Sequence, residues 1–391
     1  MKLYRSSPSA LTSTSAIAAL SMSALLAACG GGGSSSMSPL TSTPTAVSPP
    51  VNTKGLWIAN GTNVLEYVPS QLAGGTRAAV PHLTLASAVF GAPQGVTFDA
   101  NGNLWVMDPQ GMVNGTPTPA LFEFSAAELA ALATTPAPDP VTTITSTALN
   151  FPQQSVFDAQ GNQWVTDHNN NVVLVFAAAE LAMSGTNSIN PAVSITSTSF
   201  NGPLGIVFDS SGNLFVANNG GVPQTGGTMS AVGTSIVKFA ANELPAVPMT
   251  GMVTPDLSPS VTLSDDGQGS IQGPWALVFD SSGDLWSSNA NTPFTLVEFA
   301  PASLMMTGAP DPAVTLSPAT VAGNATLNAP NGICFDNIGD LAAMNSAGAF
   351  GIAFFAKDQL ITGAPTPNTF IVGTATTLNA PAGCNFGPLV N

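Results

Sequence analysis

One pattern, repeated along most of the chain, restricts what this sequence can fold into. It reads Pro-x-Gly-x-x-Phe-Asp-x-x-Gly-Asn-Leu-Trp-Val, and its fullest copy runs from Pro93 to Val106. It returns from Pro152 (Phe157, Asp158, Gly161, Trp164), Pro203 (Phe208, Asp209, Gly212, Phe215), Pro274 (Phe279, Asp280, Gly283, Trp286) and Pro330 (Phe335, Asp336, Gly339). Successive phenylalanines lie 51 to 71 residues apart. A last copy, Pro381-Ala382-Gly383-Cys384-Asn385-Phe386, stops near the final residue. Its missing continuation stands at the other end of the body, in Gly55-Leu56-Trp57-Ile58-Ala59-Asn60. Five whole starts and one divided between the ends make six units.

A second signature follows each first one. It is Val64 to Tyr67 leading to Leu72, and Leu121 to Phe124 leading to Leu129. The others are Val173 to Leu181, Ile236 to Leu244, Leu296 to Leu304 and Ile352 to Leu360. A Thr/Val-rich run such as Val141 to Thr145 comes next. Each unit therefore holds four short β-branched or aromatic runs set apart by turn residues, the pattern of four strands. Small sheets repeated radially form a β-propeller. Uneven spacing argues against a β-helix, and the divided unit argues for a closed ring over a sandwich. The expected fold class is all-β, a six-bladed β-propeller over residues 55–391, closed by pairing of the C-terminal strand with the N-terminal blade.

The repeated residues first find local uses. Asp99, Asp158, Asp209, Asp280 and Asp336 stand three residues before a glycine, where a carboxylate accepts backbone N–H groups and Gly takes a positive φ. Trp57, Trp105, Trp164, Phe215 and Trp286 share one position, expected to fill the space between blades; Ala342 is the exception, leaving either a thinner wedge or a compensating neighbour. The position four after the repeat's Leu holds Asn60, Asp108, Asp167, Asn218, Asn289 and Asn345. Two carboxylates and four amides at one edge could hold Ca²⁺, which favours oxygen ligands. The local alternative is that each ties its own loop by side chain–backbone hydrogen bonds.

The same edge carries the most irregular loops: Asp108 to Ala120, Asn218 to Ser235, and Asp256 to Gln272 with Asp265 and Asp266. Loops on a rigid scaffold are where recognition residues gather. A ligand is expected there, with Asp167, His168, Asn169, Asn218 and Asn219 near the centre. Cys334 and Cys384 fall in the innermost strands of adjacent blades, at offsets that point them to opposite faces of their own sheets. They are candidates for a disulfide, provided their Cα atoms lie within roughly 7 Å.

The N-terminus reads differently. Lys2 and Arg5 precede a small-residue apolar run that ends Leu25-Leu26-Ala27-Ala28-Cys29, followed by Gly30 to Gly33 and Ser34 to Ser36. A basic start, an apolar stretch and small residues before the cut mark a secretory signal. The Leu-Ala-Ala-Cys ending resembles a bacterial lipobox. That resemblance implies a signal peptide over residues 1–28, a diacylated Cys29, and a Gly/Ser/Pro-rich tether over residues 29–54. Gly30, where Asp would favour the inner membrane, implies a lipid-anchored place at the cell outer membrane, facing periplasm or surface. Acyl chains contribute about 0.8 kcal/mol per buried CH₂ to such anchoring. Hydrophobic residues at 44% against charged ones at 7% exclude a disordered acidic tail. Six basic against 21 acidic residues, net −15, leave nothing to neutralise a phosphate backbone, so nucleic acid is excluded as a partner.

The repeat resembles that of NHL-repeat propellers, Pro-x-Gly-Val-x-Phe-Asp-x-x-Gly-Asn-Leu-x-Val, over nearly all of residues 55–391. Two enzyme families share that architecture. Gluconolactonase-like propellers hold Ca²⁺ with Glu, Asn and Asp, and Pro330-Asn331-Gly332 is similar to their Asn-bearing segment. The Glu they place before Gly-Pro is Gln272 here, which would leave a metal less neutralised. Virginiamycin B lyase needs clustered His and Glu, whereas His82 and His168 sit in different units. No Gly-x-Ser-x-Gly, metal-spaced His pair or phosphate-cradling loop is present. The expected function is therefore a non-catalytic, membrane-tethered binding or scaffold propeller of the cell envelope, without a cofactor, whose partner is an envelope protein or polysaccharide. The alternative is a Ca²⁺-dependent lactonase or esterase using Asn331 with Asp167 or Asn218.

Overall fold

Each proline-led start of the repeat, Pro-x-Gly in four of the six, feeds the innermost strand of an antiparallel blade, and six blades ring a narrow channel. The computed structural model describes residues 51–220, 234–248 and 251–390; the signal segment, Cys29 and most of the tether lie outside the described residues, as do residues 221–233 of the Asn218–Ser235 loop. From channel to rim, the first blade is Pro381–Gly387, Gly55–Asn60, Asn63–Tyr67 and Leu83–Leu85. The second is Gly95–Phe98, Leu104–Asp108, Ala120–Phe124 and Thr142–Thr145; the third is Pro152–Phe157, Gln163–Asp167, Val172–Phe176 and Val193–Ile195. The fourth is Pro203–Phe208, Leu214–Asn218, Ser235–Phe239 and Val261–Ser264; the fifth is Pro274–Phe279, Leu285–Asn289, Thr295–Phe299 and Val314–Leu316. The sixth is Pro330–Phe335, Leu341–Asn345, Gly351–Phe355 and Thr369–Val372.

The Pro-x-Gly chemistry follows from crowding at the axis. Proline has no N–H for the ladder and sits where the inner strand begins, just before a register shift against the second strand. The glycine lets neighbouring inner strands approach. A Cβ on Gly95 would collide with the Gln153 carbonyl oxygen, and one on Gly332 with that of Ala382. The five Asp-x-x-Gly turns close as expected. In the second blade Asp99 Oδ1 accepts the N–H groups of Asn101 and Asn103, both at 2.9 Å, and Gly102 takes φ +81°.

The core is divided into six wedges, one between each pair of adjacent blades. The repeat's aromatic packs edge-on against the Phe of the next blade's Phe-Asp pair: Trp57 on Phe98, Trp105 on Phe157, Trp164 on Phe208, Phe215 on Phe279 and Trp286 on Phe335, at 5.3–6.2 Å between centroids. Such pairs contribute about 0.5–1.5 kcal/mol each beyond area burial. The sixth wedge resolves the Ala342 exception in favour of a compensating neighbour. Phe354, the cross-strand partner of Ala342, supplies the ring and meets Phe386 at 6.4 Å. In the first, second and fifth blades the residue opposite the Trp is Glu66, Glu123 or Glu298. The aromatic has moved one strand outward while the wedge stays filled.

Ring closure joins the two ends of the sequence. Gly55–Asn60 pairs antiparallel with Pro381–Gly387, Leu56 opposite Phe386 and Ile58 opposite Cys384. The tail beyond is clasped as well: Trp57 Nε1 donates to Pro388 O at 3.3 Å, and Val390 N–H donates to the buried Glu66 carboxylate at 3.2 Å. Cys334 and Cys384 form a disulfide between the inner strands of the sixth and first blades, Cα atoms 6.1 Å apart.

Rim strands also find cover. The linker between third and fourth strands of each blade runs along the outer edge of the preceding blade. Gly185–Ser188 pairs in parallel with Thr142–Thr145, and Gly75–Arg77 with Thr369–Val372, so two blades have five strands where four were expected. Single bridges do this elsewhere (Val193 to Val253, Leu263 to Gly308, Leu316 to Gly363), and Ala86 N–H donates to Pro136 O for the first blade. Among the described residues, the outer strand of each blade is thereby met by the linker of the next blade.

Two outcomes follow for thermal unfolding. Phe354→Glu alone strongly lowers the melting temperature by placing a charge in the sixth wedge, while Ala342→Trp/Phe354→Glu, which recreates the Trp–Glu arrangement of the first, second and fifth blades, recovers a substantial part of the loss. Cys384→Ser costs roughly 2–4 kcal/mol, because the disulfide otherwise restricts the unfolded chain; unchanged denaturation midpoints with and without reductant would exclude that contribution.

Candidate functional site

The six Asn and Asp residues at the ends of the second strands come first, since they were expected to surround one face. All are buried: Asp108, Asp167, Asn218, Asn289 and Asn345 at 0% exposure and Asn60 at 1%. Their side-chain oxygens do one job in every blade. Each accepts the backbone N–H of the residue two before the inner-strand proline: Asn379 to Asn60 (2.6 Å), Gly91 to Asp108 (2.8 Å) and Asn150 to Asp167 (2.7 Å). The remaining three are Asn201 to Asn218 (3.1 Å), Gln272 to Asn289 (2.9 Å) and Asn328 to Asn345 (2.9 Å). The side chains thereby clamp the loop that feeds the channel strand. Asp108 takes two further N–H groups, from Ala92 and Gln110, and Asp167 two, from Phe151 and Asn170. Burial nonetheless pushes both carboxyls up, against the opposing effect of those N–H donors.

The other candidates are spread over the same face. His168 Nδ1 lies 3.1 Å from Asn169 Oδ1, and its ring packs edge-on against Phe151 at 6.1 Å. Asn169 and Asn170 are exposed, and Asn150 Nδ2 donates to Asn170 Oδ1 at 3.1 Å. Asn219 Nδ2 lies 3.2 Å from where a Cβ on Gly273 would stand, and Asn291 Nδ2 closes on the same spot. Asn331 is half-buried in the sixth blade. Asp167 belongs to the third blade, across the ring from it, so the two do not share one coordination sphere. Part of the expected loop set lies elsewhere: Asp256 runs along the rim, bridged to Thr196, and only Asp265 to Gln272 reaches this face. The channel itself is a cavity of about 180 Å³ lined by all six inner strands, with Thr97, Gln154, Ser155 and Asn385 as its polar residues.

Two features were missed from sequence. The first is the residue two before each inner-strand proline. It is Asn379, Asn150, Asn201, Gln272 or Asn328 in five blades and Gly91 in the other, in phase with the repeat and on the loop-rich face. The second is on the opposite face. Asp280, Asp284 and Glu298 have carboxylate oxygens within 4.8 Å of one another, and they are the one such group of His, Cys, Asp and Glu among the described residues. The cause is local. In the second, third and fourth blades an Asn at this position (Asn103, Asn162, Asn213) donates to the turn Asp and accepts the N–H of Ala126, Ala178 or Ala241. The fifth blade has Asp284, with no amide to donate, and Pro301, with no N–H to give. Burial, then Asp284 and Asp280, push Glu298 up to about 7.

The two faces differ in charge. The loops joining second to third strands, and fourth strands to the next inner strand, carry His168, Asp265 and Asp266 as their only ionisable residues besides the buried Asp108 and Asp167. Asp265 and Asp266 are turned inward on their own loop, accepting N–H groups of Gly267, Gly269, Ile271, Gln268 and Ser270. The opposite face has the five turn aspartates, the Glu298 group and Glu128, Glu180 and Glu243. The body of the chain starts there too, with Thr53 N–H donating to Asn337 Oδ1 at 2.9 Å and Asn337 Nδ2 donating to Val51 O. A groove of about 970 Å³ on that face separates the third and fourth blades, floored by Phe157, Trp164 and Phe208.

The raised Glu298 gives a signed pH dependence. A folded-state pKa above the ordinary 4.5 means the folded chain keeps a proton that the unfolded chain releases, so this contribution is favourable below pH 4.5 and is lost as pH rises to about 7. Melting temperature should fall across that window. Glu298→Gln should flatten the fall and raise the melting temperature at pH 8, and Asp284→Asn should do the same more weakly; parallel profiles for all three proteins would contradict the assignment.

No family model matches the chain, and no curated protein matches it. Solved structures do. A protein of unknown function from Bacteroides caccae superposes with a TM-score of 0.54 at 9% identity, covering 86% of this chain and 100% of that one. A chain of a nidogen/laminin complex gives 0.52 at 13%, covering 86% and 98%. A streptogramin B lyase gives 0.40 at 16%, covering 75% and 87%. At these identities the likeness is one of fold, and the chain is an all-β, six-bladed propeller.

Proposed function

We propose that this chain is a non-catalytic binding or scaffold propeller of the bacterial cell envelope, secreted by its N-terminal segment, acylated on Cys29 and carried on the 29–54 tether. The partner is an envelope protein or polysaccharide, met on the loop-rich face. The observation that carries the reading is the opposition of the two faces. The body begins at Val51 to Lys54, against Asn337 on the acidic face, so the tether would join the body on the side opposite the loop-rich face. The commitment of all six second-strand Asn and Asp residues to backbone N–H groups supports a scaffold role for them. No helix among the described residues is long and apolar enough to cross a membrane, so the lipid on Cys29 would supply the attachment.

The reading is tested in a Gram-negative host. The full chain should incorporate labelled palmitate and sediment with outer membranes, and Cys29→Ala should do neither. The purified body should show no lactone or ester turnover and no saturable heat on Ca²⁺ titration. Turnover that disappears in Asn331→Ala would replace the binding reading with the hydrolase one.

A further inference from the structure

We infer that the loop-rich face binds an uncharged saccharide chain, across an arc of side-chain amides that runs from the third to the fifth blade. The inference rests on the binding reading above and names its ligand class. Its first support is chemical exclusion. An anionic ligand would find no opposite charge, because the loops of this face contain no Lys or Arg and their exposed-loop carboxylates, Asp265 and Asp266, are negative groups held by their own backbone N–H donors. A protein partner would need an apolar centre to its interface. Among the described residues, every exposed large hydrophobic side chain lies on a linker between third and fourth strands or at an end of the body, and none on the loops of this face. What remains among the described residues is a surface dominated by amides and hydroxyls, with His168, Asp265 and Asp266 as its ionisable groups.

The second support is the arrangement of what is present. In the third blade, Asn150 and Asn169 stand beside the edge-packed pair of Phe151 and His168, so amide donors and acceptors flank an aromatic step. In the fourth and fifth blades, Asn219 and Asn291 converge above Gly273, and their side chains make no hydrogen bond among the described residues. A Cβ at residue 273 would fill the space that brings the two amides together. An amide offers one acceptor oxygen and two N–H donors, which matches the mixed donor and acceptor character of sugar hydroxyls, and a ring face suits the C–H face of a pyranose. The scaffold beneath is rigid, since the loops bearing Asn150, Asn201 and Gln272 are clamped by Asp167, Asn218 and Asn289.

The test uses the purified mature chain on immobilised cellohexaose, maltohexaose, chitohexaose, polygalacturonate and heparin. At least one of the three neutral oligosaccharides should bind with an affinity that is unchanged by raising salt. Asn219→Ala and Asn291→Ala, folded as judged by unaltered melting, should each weaken that binding about tenfold, the loss of roughly 1.4 kcal/mol expected for hydrogen bonds to a hydroxyl-rich ligand. Binding confined to the two charged polymers, or abolished by salt, overturns the inference, as does failure of all three neutral probes. Retention of an envelope protein by the wild type, lost in the Asn219→Ala/Asn291→Ala double variant, would then leave the binding reading standing without the saccharide. Retention of nothing would remove both.

Discussion

The pairing of Gly55–Asn60 with Pro381–Gly387 is the interaction on which the rest of this architecture depends, because a propeller is a sheet array with no free end only if its first and last repeats share a blade. Every other wedge has both of its walls within a short stretch of sequence. The wedge between the sixth and first blades has walls from opposite ends of the chain, so it gains nothing from local proximity. The closing strand pair is where covalent and polar fastenings concentrate, the disulfide on its sixth-blade side and the tail bonds on its second-blade side. The Cys334–Cys384 disulfide, the Trp57 bond to Pro388 and the Glu66 bond to Val390 all lie within this closure. Glu66 is fully buried and its carboxyl is pushed up by burial, partly offset by the Val390 N–H and by His82 at 3.2 Å. A charge placed so deep beside the last strand is tolerated because the tail supplies a donor to it.

Divergence among the six units obeys the same logic of shared space. Where the second strand lost its aromatic at Ala342, the third strand acquired Phe354, and the ring still reaches Phe386. Where Asp284 replaced the turn's Asn, Pro301 removed the N–H that the Asn would have accepted, and Glu298 joined two carboxylates without a donor among them. The sixth blade shows a milder version: Asp340 keeps the N–H of Lys357, but without an amide to give it leaves Asp336 Oδ2 buried and unpaired. The two cases differ in outcome because a missing ring opens a void that the core must fill, whereas a missing amide leaves a partly buried electrostatic conflict at the blade's end that the fold can carry.

This contrast explains how much was legible in the sequence. The blade count, the split repeat, the Asp-x-x-Gly turns and the wedge aromatics could be read because each depends on residues at fixed local spacing. The rim linkers could not, since the residues that pair there, Gly185–Ser188 with Thr142–Thr145, carry no strand-like pattern and are defined by the neighbouring blade's edge. The candidate site was partly legible. Loop irregularity picked out the face proposed for a ligand, and the local use open to Asn60, Asp108 and their equivalents is the one their geometry displays. The amides two residues before each proline went unread because Asn and Gln there look like ordinary turn residues. Only the ring brings Asn219 of one blade and Asn291 of the next over a single glycine.

A net charge of −15 could have been spread evenly over the disc, and self-repulsion alone would favour that. It is not. The turn aspartates need their carboxylates at the end of the blade where the first and second strands meet, which places the acidic load on one face by construction. The opposite face needs only neutral oxygens to clamp its loops, and in four of six blades it uses Asn for that purpose, with the two Asp residues buried. The repeat's own hydrogen bonding therefore sorts the charge, and the chain then begins its body on the acidic side, beside Asn337. An acidic side near the start of the body and an amide-rich side with few ionisable groups are two consequences of one repeated turn. Selection for a neutral ligand would have had little to change, because the repeat itself adds no exposed charge to the face where such a ligand would sit.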